Sequence, residues 1–465
     1  MSSAVIPPNL NEVYRNLSGF RKSLVRFYAD RTGSINATDV LRWTLPKEIL
    51  LMDTLMHYFE FTSTRAGVNA AATPEVQGTF FPRNSSSIID TITVFINGQV
   101  FENITNYNHL FNVLHDNITG YNYNQSGINA LQCTDPSIRY SVANASGNTI
   151  TAKVQGATLT NTTDVTACDY QRPLQIRDWV GFLGTCNRVL DLTNVEVVVE
   201  IRYAPANIVF KGATIAGTIT AVTPTYTIDK YYMTIFKISF DDDYYAIALN
   251  SLKESGNYVI TYKTYSSARG PQVDKTTNPN LQFSSTAKYL SKLYFTMLDG
   301  TYDTVDLIQN TSTTKSFSEL MADFKTNVDA FNQSRYFKKT GVSLTEVTLE
   351  INGLPAYPFP QSLQLIKNNN LEALDIEGNK LVGDYPGLVS LESWTKYGFL
   401  MATSFEMKDA WKNGIISGYP NPNANLLNIK YSTTFSSGAD KVYLLAFAER
   451  VSQCIFAGSS VMINM

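Results

Sequence analysis

Three histidines, His57, His109 and His115, are the only imidazoles in the chain of 465 residues. Acid–base or metal chemistry built on imidazole has to use them, yet His109 and His115 stand six residues apart, a poor spacing for two ligands on one helix face. The run Asp241-Asp242-Asp243 offers three carboxylates to a hard cation. Such a cation takes about six to eight oxygens at set spacing, and directly after the strand-like Phe236–Phe240 the run reads as a solvated turn. Cys133, Cys168, Cys186 and Cys454 contain no C-x-x-C pair and read as reduced core thiols. No H-E-x-x-H, G-x-x-x-x-G-K-[ST], G-x-S-x-G or G-x-G-x-x-G stands in the sequence. The carboxylate pair of glycoside chemistry has no specific signal either. The expectation is a chain without catalytic residues, metal or cofactor, hence not an enzyme.

A second kind of chemistry is cationic. Within residues 1–31, Arg15, Arg21, Lys22, Arg26 and Arg31 outnumber Glu12 and Asp30, in a chain whose net charge is −3. Val13, Leu17, Phe20, Leu24 and Phe27 follow one another at helical spacing and predict an amphipathic helix from Val13 to Tyr28. Such a basic arm either meets lipid head groups, nucleic acid or an acidic partner, or packs on its own domain with a solvated basic face. A third possibility is a sugar platform, for which Trp179, Trp394 and Trp411 are the candidate rings.

The elements that must carry these residues are mostly strands. Charged residues make up 17% of the chain, below the usual ~25%, whereas Tyr and Phe number 27 and 25. Neutral, aromatic composition excludes disorder and a histone-like coat. It suits either faces buried against partners or a large β core with neutral loops. No basic segment followed by an apolar run opens the chain, and no stretch of about 18 apolar residues occurs, so neither secretion nor a membrane span is expected. Strand patterns recur at Ile92–Ile96, Val195–Arg202, Tyr232–Phe240, Asn257–Tyr262, Tyr294–Leu298 and Val347–Ile351. Helical patterns are few: Tyr107–Asp116, Ser316–Phe331 and parts of Leu391–Lys412.

Three landmarks repeat in the same order. Ile92 to Gly98 matches Val347 to Gly353, both alternating strands that end in Ile-Asn-Gly, the strongest short hairpin signal. Ile208–Gly212 matches Cys454–Gly458, and Leu55–Phe59 matches Leu293–Phe295. Two tandem β domains of one plan follow, with an arm over 1–38, a first domain over 39–215, a junction over 216–230 and a second domain over 231–465. The helix Ser316–Phe331 is the expected insertion in the second copy. Residues 122–169, rich in Asn, Thr and Ser, read as long surface loops.

This plan resembles the double jelly-roll major capsid proteins of tailless icosahedral DNA viruses. The resemblance rests on the segments Leu45 to Phe61, Phe81 to Asp90 leading into Ile96-Asn97-Gly98, the helix Tyr107 to Leu114, and the closing Val442 to Val451. It implies an all-β chain of two tandem eight-stranded jelly rolls with short inserted helices and a helical N-terminal arm. It further implies a homotrimeric, pseudo-hexagonal capsomer that tiles a virion shell beside penton or minor capsid proteins, assembled inside the host cell. The arm would then place Arg15, Arg21, Lys22, Arg26 and Arg31 on the inner surface, against an internal membrane or the genome. The competing reading is a tandem β-sandwich carbohydrate-binding protein or glycoside-active enzyme.

Overall fold

The computed structural model describes residues 20–65, 76–80, 85–118, 140–144, 152–154, 157–159, 167–186, 189–208, 210–215, 224–240, 243–255, 258–300, 302, 307–310, 336–337, 339–374, 391, 394–395, 398–407, 417–421, 423–436, 440–457 and 460–464. Sixteen strands carry the architecture. The first eight are β1 (Phe20–Phe27), β2 (Val40–Thr44), β3 (Ile49–Arg65), β4 (Ile89–Ile96), β5 (Gln99–Ile104), β6 (Ala167–Ile176), β7 (Val197–Tyr203) and β8 (Pro224–Phe240). They pair antiparallel into two sheets, β1-β8-β3-β6 and β2-β7-β4-β5. The next eight are β9 (Tyr258–Asp274), β10 (Asn280–Thr286), β11 (Tyr289–Asp299), β12 (Leu344–Ile351), β13 (Leu354–Pro355), β14 (Met401–Ser404), β15 (Leu426–Phe435) and β16 (Lys441–Ala457). Their antiparallel sheets run β9-β16-β11-β14 and β10-β15-β12-β13. Adding eight to each strand number of the first unit gives the strand order of the second. Even a minor strand is repeated: Val189–Asp191 flanks the start of β3 as Tyr419–Pro420 flanks the start of β11.

Local sequence explains why the copies close alike. Strand β7 alternates, with Val197, Val199, Ile201 and Tyr203 buried and its other side chains half-buried or exposed, the period that puts one face on a core. The β4–β5 hairpin turns on Asn97 and Gly98 at φ 50 and 77, and β12–β13 turns on Asn352 and Gly353 at φ 52 and 77. Both central residues lie at positive φ, the geometry that Asn-Gly supplies best. The Asn97 amide donates to Glu196 O at 2.8 Å while the Glu196 amide donates to Asn97 Oδ1 at 2.9 Å. Asn352 and Asn428 repeat both bonds at 2.8 and 2.9 Å. The hairpin landmark thus holds down to single hydrogen bonds, and Leu55–Phe59 and Leu293–Phe295 fall in the equivalent strands β3 and β11. The remaining landmark does not. Ile208 closes a short 3-10 turn and Phe210 opens a separate strand, Phe210–Ile215, whereas Cys454 and Phe456 lie inside β16, the counterpart of β8.

One expectation changes. The helix over Val13 to Tyr28 is a strand in its described part, because Phe20 to Phe27 pairs residue by residue with Phe240 to Met233. Tertiary pairing overrides a helical spacing that is also compatible with an edge strand. Strand β8 runs across part of the expected 216–230 junction to Phe240 and lies between β1 and β3. Within Leu391–Lys412, Leu391 and Trp394–Thr395 are helical, as expected of parts of this segment, and Met401–Ser404 is strand β14. Helix α1 (Tyr107–Ile118) stands where expected, followed by α2 (Phe182–Thr185), α3 (Asp243–Glu254) and α4 (Leu363–Ala373). Asp243 thus begins a helix. Ser316–Phe331, Arg15, Asp241, Asp242 and Trp411 lie outside the described residues, as does most of 122–169.

The core of the second unit gathers Phe295, Met297, Leu349, Trp394, Phe399 and Tyr431 between its sheets. The larger core fills the first unit with Trp43, Phe59, Ile92, Val199 and Ile228, and continues into Tyr262, Tyr294, Phe447 and Phe456 of the second. Each such aliphatic or aromatic side chain contributes about 1.5–3 kcal/mol on burial. The two units therefore share one apolar seam.

Candidate functional site

The seam is built where β9 lies against β5 and α2. Phe101 of β5 stacks on Tyr262 of β9 at 4.8 Å between ring centroids, and Phe182 of α2 meets both edge-on at 5.0 and 5.4 Å. Polar groups fix the register. Thr185 Oγ1 donates to Lys263 O at 3.3 Å and accepts from the Lys263 amide at 2.9 Å. The Thr105 and Ser267 hydroxyls sit 2.5 Å apart. Tyr258 OH donates to Val189 O at 2.9 Å, and Lys253 of α3 pairs with the buried Asp191 at 3.0 Å.

Behind this seam lies a buried network of charges on the β9-β16-β11 sheet. Lys263 Nζ stands 2.6 Å from Glu449 Oε1 and 3.2 Å from Glu406 Oε1, and Lys292 Nζ stands 3.1 Å from Glu406 Oε1. Tyr265 and Tyr294 donate their hydroxyls to Glu449 Oε2 at 3.0 and 2.7 Å, and the Ser291 hydroxyl, with its single proton, stands between Glu406 Oε2 at 2.8 Å and Glu449 Oε1 at 3.0 Å. Two cations and two anions cancel, and the hydroxyls satisfy remaining lone pairs, which is how charges survive burial. Burial pushes the Glu449 carboxyl up, but Lys263, Lys292 and the hydrogen bonds outweigh it and hold its pKa at about 2.

The basic residues of the first strand are divided. On β1, an edge strand, Lys22, Leu24 and Arg26 share one face. Lys22 Nζ lies 4.2 Å from the centroid of Phe236, and Arg26 Cζ lies 3.6 Å from Tyr232, which itself stacks on Tyr58 at 5.0 Å. Leu24 and Tyr28 beside them are 57% and 62% exposed. The result is an open cationic and aromatic face. Arg21 is exposed but alternates to the other face of the strand. Arg31 is drawn away, pairing with Asp39 at 3.2 Å while its carbonyl accepts from Tyr231 OH at 2.7 Å. The sequence reading missed Tyr58, Tyr232 and Phe236 as the floor of this face; the clue was a run of aromatics on the outward alternate of neighbouring strands.

Several of the groups considered for catalysis are buried. His57 Nε2 lies 3.0 Å from Tyr203 OH, and burial lowers its pKa to about 4 against the opposing Tyr232 carbonyl. His109 stacks on Tyr336 at 4.9 Å, and burial pushes its pKa well down. Cys186 and Cys454 are buried thiols. Trp179 donates Nε1–H to Leu55 O at 2.9 Å inside the core, and Trp394 is buried against Phe399; neither ring is open to a sugar. Among the described residues no group of three His, Cys, Asp or Glu is placed to hold a metal, and no helix is long and apolar enough to cross a membrane.

Solved structures share this arrangement over nearly the whole chain. The PBCV-1 virus capsid quasi-atomic model superposes with a TM-score of 0.55 at 11% identity, covering 97% of this chain and 98% of that one. The chain has the double jelly-roll capsid fold. The Faustovirus major capsid protein shares the double jelly roll at a TM-score of 0.54 and 9% identity over 94% of this chain and 91% of its own. The structure of the Sputnik virophage follows at 0.51 and 11%, over 97% and 89%. No protein-family model and no curated protein matches the sequence. At these identities the double jelly roll is kept by the pattern of buried positions, since packing tolerates wide hydrophobic substitution when volume and pattern are preserved.

Proposed function

We propose that the chain is a major capsid protein that assembles as a homotrimer into pseudo-hexagonal capsomers tiling an icosahedral virion shell. The observation that carries this reading is the strand order repeated across two units that span the chain, matched end to end by capsid structures. The apolar seam joins each chain into a pair of similar blocks. Threefold association of such pairs presents six similar edges, and a sixfold-like outline tiles a surface with one kind of subunit. A structural role in the virion, without catalysis, accords with the burial of Trp179, Trp394, His57 and His109. On this reading the first jelly roll spans 20–240 and the second 258–464, with α3 between them. Penton and minor capsid proteins complete the shell.

The Lys22 and Arg26 face is the proposed contact with an anionic inner surface, a lipid head-group layer or the packaged genome. Arg15, Arg21 and Arg31 belong to the same basic stretch.

Light scattering with negative-stain imaging tests the assembly. A species of about three times the 51.8 kDa chain, hexagonal in outline, or shells formed from it, supports the reading. A protein that stays monomeric at every concentration overturns it, because an assembly-dependent fold gains stability by mass action.

A further inference from the structure

Glu102, on β5, is 3% exposed and sits in the seam facing the second unit. Its Oε2 accepts the Phe182 amide at 2.9 Å, while its Oε1 has no hydrogen-bond partner. The chain passes directly over it at Gly181, with φ +82; a Cβ there would lie 2.7 and 2.8 Å from the two carboxyl oxygens. The carboxyl is therefore roofed by backbone at Gly181 and buried where β5 and β9 meet, beside the Thr264 hydroxyl of β9.

The titratable groups that face it come from every neighbouring element. They are Tyr107 of α1, Tyr262 and Tyr265 of β9, and Arg450 of β16; Asp178, before α2, joins it in bearing on Tyr107. Arg450 is the cation of the set, but it donates Nη1–H to Thr286 O at 2.8 Å and its Nε is left without a partner. It forms no ion pair with Glu102. A lone carboxylate in this place lacks the close cation that buried charges require.

We propose that Glu102 is a proton-gated clasp of the inter-unit seam: protonated, it lets β5 and α2 close on β9, and ionised, it leaves beside β9 a buried charge that has hydrogen bonds but no close cation, which loosens the two units. Burial raises the Glu102 pKa to about 7, although the Thr264 hydroxyl, the Phe182 amide and Arg450 favour the anion. The folded chain thus keeps a proton that the unfolded chain releases near the ordinary value of 4.5. The sign follows from linkage: the contribution is present at low pH and is lost as pH rises through about 7. The clasp is independent of whether the chain builds a shell.

The test uses the full-length protein and hydrogen exchange between about pH 6 and pH 8, with seam amides, Phe182 among them, referred to amides of β12 to cancel base catalysis. In the wild type the seam-to-β12 ratio is expected to rise about tenfold across this range. Glu102→Gln, which mimics the protonated form, should hold the ratio flat. Arg450→Met should move the midpoint of the rise to higher pH, because it removes the charge that favours the anion; a purely structural loss would raise exchange uniformly and leave the midpoint in place. If Glu102→Gln follows the wild-type rise, or if Arg450→Met leaves the midpoint unmoved, the clasp is overturned. Should Glu102→Gln fail to fold, the Arg450→Met midpoint decides.

Discussion

The β1-β8-β3-β6 sheet and the β9-β16-β11-β14 sheet have one topology and opposite surroundings. In the first, β3 alternates: Leu55, His57, Phe59 and Phe61 are buried while Asp53 is exposed and Met56, Tyr58 and Glu60 are half-buried. In the second, β11 is buried without interruption from Leu290 to Leu298. One sheet shows water a cationic, aromatic face; the other lays its corresponding face on the first unit and buries Lys263, Lys292, Glu406 and Glu449 there. Topology therefore sets which strands pair, and only the neighbour on the far side sets what a strand's second face must contain.

The comparison breaks most sharply at the buried charges. Glu449→Gln leaves Lys263 without its 2.6 Å partner and is expected to cost about 3–5 kcal/mol, measured as a drop in the urea midpoint. Only a small effect, about 0–1 kcal/mol, is expected from Glu60→Gln, whose partner Lys230 is exposed. If the two substitutions cost the same, the difference between the sheets is not electrostatic. Acid titration probes the same network in the wild type. The Glu449 pKa is depressed to about 2, so its contribution is present above the unfolded value of about 4.5 and is lost as pH falls toward 2. Glu449→Gln should flatten that acid limb of the denaturation curve.

A smaller effect sharpens the equivalence of the units. Asn97→Ala and Asn352→Ala each place alanine at positive φ and delete one side-chain hydrogen bond, for a loss of about 1–2 kcal/mol. The two losses should agree within about 0.5 kcal/mol; unequal losses would mean the hairpins are alike in shape only. The smallest change in stability, within about 0.5 kcal/mol, is expected for Lys22→Ala with Arg26→Ala on the exposed face. The same double variant should bind vesicles of anionic phospholipid and DNA more weakly than the wild type. Unchanged binding to both would remove the proposed inner-surface contact.

Much of this was legible in the residues. Ile92 to Gly98 and Val347 to Gly353 announced their hairpins because alternation and Asn-Gly are local, and both turns carry the same bonds. Val195–Arg202 and Tyr232–Phe240 were legible for the same reason. The segment from Phe20 to Phe27 was misread: Leu24 and Phe27 fit a helical stripe as well as an edge strand, and the deciding partner, β8, lies some two hundred residues away. The buried network was also out of reach. Lys263, Lys292, Glu406 and Glu449 are far apart in the chain and look individually like solvated charges; the hint was Lys292 within the otherwise apolar or hydroxylic run Tyr289 to Leu298.

The sequence by itself determined strand content, the Asn-Gly turns, the doubling of the plan and the neutral, aromatic composition, because each is a property of short range or of composition. Tertiary structure alone decided that β8 belongs to the first unit, that Lys22 and Arg26 lie over Phe236 and Tyr232 while Arg31 does not join them, and that Glu102 is shut into the seam. Those outcomes depend on which distant backbone supplies a strand's partner and which surface covers its second face, and the free energy of burial is settled only once both are in place.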